Sequence, residues 1–238
     1  MAVDYQLTFK PRGNAADIFA WRPDFLDEYQ IKGYVKEIKN LEFAHQAKIL
    51  GKTENGIEGT YDPSIRSSKV KWVPQSVEFK GLYERIAQEI IMHNDQHFRF
   101  DLDNILEQIQ YTEYHAKDKG HYNWHMDLGS DWASLRKLSC TINLSDPEDY
   151  DGGVLEFNLG GKTKTQAPKT KGAITIFPSY LLHTVYPFIG EEERRCIAFN
   201  AGYRITKENK DKGAVEVIAG NMQGIQNSYF YFEEKPNE

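Results

Sequence analysis

The sequence predicts an α+β protein dominated by β structure: an antiparallel sandwich or barrel with helices laid over one of its sheets. Three observations carry this. From about Leu106 onward, short strand-like runs succeed one another, separated by turn signals such as SDPEDYDGG, NLGG and FIGEEE. The first hundred residues hold two stretches with helical apolar spacing. No internal repeat or low-complexity tract divides the 238 residues, a length that suits one domain with a substantial core.

In chain order, Asp24–Asn40 spaces Phe25, Leu26, Tyr29, Val35 and Ile38 as a helix does. The stretch GKTENGIEGTYDPS reads as a loop, from its Gly, Asn, Asp and Pro content. Phe79–Asn94 is a stronger helix, with Leu82, Ile86, Ile90 and Ile91 on one face. The strand candidates are ILEQIQYTEYH, HYNWHMD, LRKLSCTINLS, GGVLEFN, KTKTQAP, GAITIFP, LLHTVYP and RRCIAFNAGYR. The polar tail Lys207–Glu238 ends in the aromatic cluster Ser228–Phe232, expected to pack back on the body or add an edge strand.

The net charge of −6 gives no basic footprint, so nucleic acid is not an expected partner. No apolar run approaches the roughly 20 residues of a membrane span, and MAVDYQLTFKPRG lacks the apolar stretch of a signal peptide. The expected location is the cytoplasm of a bacterium or of an infected host. Cys140 and Cys196 lie far apart in apolar strands and read as two buried thiols.

His125 and Asp127 are two apart at the end of a strand-like run, so their side chains point the same way. Such a pair alone is ordinarily structural, as is a lone buried histidine. The combination is more specific: His183 comes 58 residues later in an apolar strand, and Arg194 opens another strand eleven residues after that. Two histidines and one carboxylate, with positions left open, are the ligand set of catalytic Fe(II). A planar arginine fork binds both oxygens of a carboxylate. In an apolar strand it is costly without a partner, and only the loop residues Glu191–Glu193 are nearby acids. His45, His93 and His97 have no partner at ligand spacing, and His115 and His121 read as exposed.

The run HMD … RKLSCTINLSDPEDYDGGVLEF … GAITIFPSYLLHTVYP … ERRCIAFNAG resembles the Fe(II)/2-oxoglutarate-dependent dioxygenases of the prolyl 4-hydroxylase-like group, including its bacterial and viral members and the PKHD-type hydroxylases. The resemblance spans Glu107–Tyr203, and more weakly Asp62–Pro74. It implies a double-stranded β-helix (jelly-roll, cupin-like) core over residues 106–206, a helical and strand support layer over 1–105, and the packed tail 207–238, all in one dioxygenase domain. It implies Fe(II) held by His125, Asp127 and His183, and 2-oxoglutarate whose far carboxylate pairs with Arg194, with Arg195 the rival. Tyr114 matches a tyrosine that helps bind 2-oxoglutarate. Its plain alternative is barrel packing. Ser139, Thr141 and Asn143 share a strand face and are expected to line the same pocket. Some relatives place a tyrosine where Asn143 stands, which leaves that contact open. Asp151-Gly152-Gly153 looks like the family's tight turn.

Arg66, Ser68, Trp72, Tyr122 and Trp124 fall where the family's substrate groove lies. The alternative for two of them is Trp72 in the core and Arg66 exposed. The activity implied is hydroxylation of a peptidyl proline in a peptide or protein, using dioxygen and 2-oxoglutarate, with ascorbate a further cofactor the resemblance allows. An aspartate at 127 favours hydroxylation, because related halogenases carry a small residue there. The alternatives are the same chemistry on a free amino acid or other small molecule, a non-catalytic β-sandwich binding module, and a zinc hydrolase using the same three ligands.

Overall fold

A computed structural model of the chain describes residues 18–41, 45–53, 56–102, 104–105, 107–129, 131–190 and 194–202. The tail Lys207–Glu238 with its Ser228–Phe232 cluster, and the acids Glu191–Glu193, lie outside them.

Two antiparallel sheets build the body. The larger runs in the order Ala20–Arg22, Ile174–Pro178, Arg136–Asn143, Arg194–Gly202, Ile109–Tyr114, Lys69–Val73 and His45–Gln46, with Asn104–Ile105 also paired to Arg194–Gly202. The smaller orders Lys164–Gln166, Leu155–Asn158, His183–Val185, His121–His125 and Arg66–Ser67. This is the jelly-roll arrangement expected from the sequence, and period-2 alternation explains its two cores. Along Arg136–Asn143, the residues Leu138, Cys140 and Ile142 face the helices and join Ile31, Ile38, Leu82, Ile86 and Ile90 in one cluster. Ser139, Thr141 and Asn143 therefore face the smaller sheet. The second cluster, Tyr114, Tyr150, Leu155, Phe157, Phe177, Val185 and Cys196, fills the space between the sheets. Both cysteines are buried free thiols.

The first helix is Glu28–Asn40, four residues shorter at its start than its apolar spacing suggests. Asp27 caps it in a reciprocal box: its carboxylate accepts from Gln30 N–H at 2.8 Å, and the Gln30 side-chain carbonyl accepts from Asp27 N–H at 3.0 Å. Phe25 and Leu26 are core residues of the entering chain, whereas Tyr29 is exposed and Ile31 takes the buried face. The second helix is Lys80–His93, continued by a π turn over Asn94–Phe98. Ile91 is exposed and Tyr83 replaces it in the core. The Tyr83 hydroxyl donates to Val73 O at 2.6 Å and accepts from Ile109 N–H at 2.8 Å, which pins the helix to two strands of the sheet beneath. Among the described residues no helix is long and apolar enough to cross a membrane.

The segment read as a loop forms a hairpin instead, Ile49–Thr53 against Gly56–Thr60. Its Gly and Asn content belongs to a polar hairpin, and Asn55-Gly56 is itself a hairpin signal.

Candidate metal centre

Sheet register brings the two histidines together. His125 ends one strand, His183 opens the neighbouring one, and the two are direct antiparallel partners. Their ring centroids are 4.1 Å apart. Asp127 lies just past the strand end, with its carboxylate 3.6 Å from His125 Nε2 and 3.8 Å from His183 Nε2. One ligand atom from each of the three falls within 4.8 Å of the others.

The supporting contacts aim these atoms. His125 Nδ1 lies 2.7 Å from Asn123 O, and His183 Nδ1 lies 2.8 Å from Leu181 O. A carbonyl only accepts, so each Nδ1 carries the proton and each Nε2 presents a lone pair to the site. Burial, reinforced by the neighbouring His183, pushes His125 down to about 3, so it is neutral at pH 7. Burial alone would raise the Asp127 carboxyl. The imidazoles of His183 and His125, then Arg136 and the Ser139 hydroxyl, outweigh it and hold Asp127 below the ordinary carboxylate value.

Asp127 has left the ladder, so its backbone is held by other means. Arg136 Nη1 donates to Asp127 O at 2.9 Å, while the rest of that guanidinium grips the Glu107 carboxylate, with Nη2 to Oε2 at 2.7 Å. The next residue, Leu128, donates to Ser179 O at 2.9 Å. Ser179 is tied in turn to Ser139, hydroxyl to hydroxyl at 2.9 Å. Sequence reasoning missed Arg136 and Glu107. Arg136 opens an apolar strand as Arg194 does, but nothing local points to an acid 29 residues upstream.

Of the two adjacent arginines, Arg194 turns inward and is only 3% exposed. It stands directly opposite Tyr114, with its guanidinium carbon 5.4 Å from that ring's centroid. Nη2 donates to Asn143 Oδ1 at 3.2 Å, Nη1 lies 3.7 Å from Cys196 Sγ, and the buried Nε makes no hydrogen bond among the described residues. Arg195 points the other way, with its backbone N–H on Ser145 Oγ. Gly152 and Gly153 both have positive φ, and a Cβ on Gly153 would come within 2.8 Å of Arg194 Cδ. The turn thus also makes room for the arginine. Asn143 gives Arg194 a neutral partner while its own amide donates to Pro168 O at 2.9 Å. Asn143→Asp would place a charge there and close an internal ion pair. We expect it to weaken binding of a carboxylate ligand by at least about tenfold, since close buried charge pairs couple by ~1.5–7 kcal/mol. Calorimetric titration with 2-oxoglutarate checks this.

The remaining sequence expectations divide. Ser139 sits beside the Asp127 carboxylate, and Thr141 is half-buried on the same face. Tyr122 stacks on His125, with centroids 3.4 Å apart and planes inclined by 16°. The alternative of Trp72 in the core and Arg66 exposed is inverted: Arg66 is 7% exposed and Trp72 44%. Arg66 Nε donates to Ser68 Oγ and Nη2 to Gln110 Oε1. Trp124, which the resemblance places near the groove, packs against Tyr186 and under Lys164 on the outer face of the smaller sheet, where Tyr186 and Lys164 both reach Glu156. His121 and His115 are half-buried rather than exposed. His121 bonds the carbonyls of Lys119 and Ser64, and His115 Nε2 lies 3.5 Å from Glu113.

Residues 109–202 match the model of the 2OG-Fe(II) oxygenase superfamily. A PKHD-type hydroxylase of Synechococcus sp. (strain CC9605) is 32% identical over 104 residues, 44% of this chain and 46% of that protein. The chain thus matches less than half the length of this curated relative. The crystal structure of a Pseudomonas putida prolyl-4-hydroxylase superposes with a TM-score of 0.61 at 18% identity, covering 79% of this chain and 94% of the other. A prolyl hydroxylase from Trichoplax adhaerens, solved with a hypoxia inducible factor oxygen degradation domain peptide fragment, gives a TM-score of 0.61 at 15% identity, covering 78% and 83%. At these identities the two structures speak to the fold.

Proposed function

We propose, from the premise that residues 109–202 form a 2OG-Fe(II) oxygenase domain, that the chain hydroxylates a peptidyl proline in a reaction that needs Fe(II), dioxygen and 2-oxoglutarate. The observation that carries this reading is a buried arginine with no acid partner among the described residues, in the same inter-sheet space as a two-histidine, one-carboxylate cluster.

The residues fit both groups. Two imidazole Nε2 atoms, each ring bonded through Nδ1 to a backbone carbonyl, and one carboxylate suit Fe(II) and leave further positions for other ligands. Arg194, buried beside neutral partners, suits the far carboxylate of 2-oxoglutarate, because a buried guanidinium gains most from a partner that arrives with the opposite charge. When bound, iron and 2-oxoglutarate supply the oxidising chemistry, in which dioxygen puts one oxygen atom into a C–H bond and one into the succinate that forms with carbon dioxide.

The protein's own part is placement. His125 and His183 present lone pairs fixed by their Nδ1–H bonds. Arg136 and Ser139 hold Asp127 from its two ends, backbone and carboxylate. Arg194, Asn143 and Tyr114 orient the cosubstrate. Phe157 and Phe177, with ring centroids 6.2 and 4.9 Å from His183, keep that side dry. An apolar rim would be built by three exposed side chains: Met126, next to Asp127 in the chain, Tyr180, next to Ser179, and Trp72, across the ladder from Gln110, which bonds Arg66. Such a rim suits an extended, proline-bearing peptide, whose ordering cost on docking is low.

The test supplies Fe(II), 2-oxoglutarate and ascorbate with a panel of proline-containing peptides and free proline, and tracks succinate and product mass together. One oxygen added to a peptide per succinate formed is the expected result. Oxidation of free proline alone would move the substrate to small molecules. No succinate above the uncoupled background with any substrate would overturn the reading.

A further inference from the structure

We propose that Arg66 is a positioning residue for the metal centre, holding Tyr122 and through it the imidazole plane of His125. The inference rests on reading His125 as a metal ligand.

His125 is the last residue of its strand, so the sheet restrains the chain on one side of it only. The ring hydrogen bond to Asn123 O fixes the tautomer but leaves the ring free to swing about that contact. The Tyr122 ring lying nearly parallel on it removes this freedom. Tyr122 in turn sits where pairing with the neighbouring strand slips, His183 facing His125 but Val185 facing Tyr122. A residue at such an irregularity needs its own anchor, and Arg66, its direct partner on the other side, provides it. The guanidinium carbon lies 4.6 Å from the Tyr122 ring centroid. Arg66 is itself fixed from two directions, by Ser68 Oγ at 3.0 Å and by Gln110 Oε1 at 2.6 Å. Gln110 belongs to the larger sheet, so Arg66 bridges the two sheets across the site.

Stability alone does not account for this residue. Among the described residues no carboxylate lies within 4.0 Å of its nitrogens, and a buried cation without one is expensive. A methionine would fill the space without that cost. What the guanidinium adds is a cation over an aromatic face, a contact of about 0.5–2 kcal/mol, and a fork of fixed geometry. Outer partners of metal-bound histidines typically carry about 10- to 100-fold in metal affinity.

The test uses the whole chain with Co(II) as probe. Arg66→Met keeps the aliphatic stem and is expected to weaken Co(II) binding by about 10- to 100-fold without lowering the melting temperature. Arg66→Lys should recover part of the loss, and Gln110→Met, which frees the fork, should lie between. Tyr122→Leu should reproduce the loss, Tyr122→Phe should not, and Arg66→Met should add nothing in the Tyr122→Leu background.

A second readout needs no metal. In the apoprotein, the His125 ring protons should carry the upfield ring-current shift of the Tyr122 face, abolished by Tyr122→Leu and reduced by Arg66→Met. Wild-type Co(II) affinity in Arg66→Met with unmoved His125 resonances would overturn the proposal, as would fully additive losses in the double variant. A wild type that binds no Co(II) would instead overturn the metal reading of His125, and the resonances would then decide alone whether Arg66 holds that ring.

Discussion

Asp127→Ala is expected to leave a folded protein that does not bind iron. The two imidazoles remain paired across the sheet, His183 against His125. They bring no negative charge, however, and the site then lacks both its third ligand and its carboxylate. The loss must exceed the roughly 10- to 100-fold that outer partners alone command, so binding should fall below detection at micromolar metal. Folding should survive. Asp127 lies outside the strand, and its backbone carbonyl, which Arg136 grips, is retained in alanine. Equilibrium binding of Fe(II) under anaerobic conditions, with a melting curve of the apoprotein, checks both halves. Loss of iron together with loss of the fold would mean that the carboxylate is structural.

Arg194→Met should separate the cosubstrate from the metal. Truncating one partner of a buried charge pair costs about 2–5 kcal/mol, which is roughly 30- to 5,000-fold in 2-oxoglutarate affinity. Iron affinity should not change, because Arg194 touches Tyr114, Asn143 and Cys196 rather than the ligands. The stability expectation has the opposite sign. The guanidinium is buried, and its Nε is unsatisfied among the described residues. Replacing it by an apolar side chain should therefore leave the apoprotein as stable or more so. On the function proposed, this buried cation, placed among neutral partners, is where the charge of a carboxylate ligand would bind. Fluorescence-monitored melting with and without 2-oxoglutarate reads both effects in one experiment: the variant's unliganded transition does not fall, and the ligand-induced rise disappears.

Much of this was legible in the sequence, for local reasons. Strand runs broken by Gly, Pro and Asp turns pointed to the two-sheet core. The spacing of His125 and Asp127 put two ligand-type side chains two apart at a strand end, although Arg136 and Leu128, rather than the ladder, hold Asp127 in place. Arg194 stood out because a lone cation in an apolar strand is unusual. The misreadings arose where long-range pairing decides. Alternation gives relative faces, not absolute ones, so the environments of Arg66 and Trp72 stayed open, and of the two readings it is the alternative, a buried Trp72 and an exposed Arg66, that the structure inverts. The register slip between His183 and Val185 leaves Trp124 on the outer face although its neighbours Tyr122 and His125 are in mutual contact. Glu107 and Arg136 meet only because the fold brings them together. The Ile49–Thr53 and Gly56–Thr60 hairpin has little apolar patterning to announce it.

Whether the three ligands and Arg194 serve one cosubstrate decides the chemistry proposed for this chain. The most direct measurement is an anaerobic titration of the Fe(II)-loaded protein with 2-oxoglutarate, monitored through the weak visible metal-to-ligand charge-transfer band. The wild type should develop the band saturably, Asp127→Ala should not develop it at all, and Arg194→Met should need far more 2-oxoglutarate. Iron binding without a band at any concentration, or a band in Arg194→Met at wild-type affinity, would contradict a shared cosubstrate site.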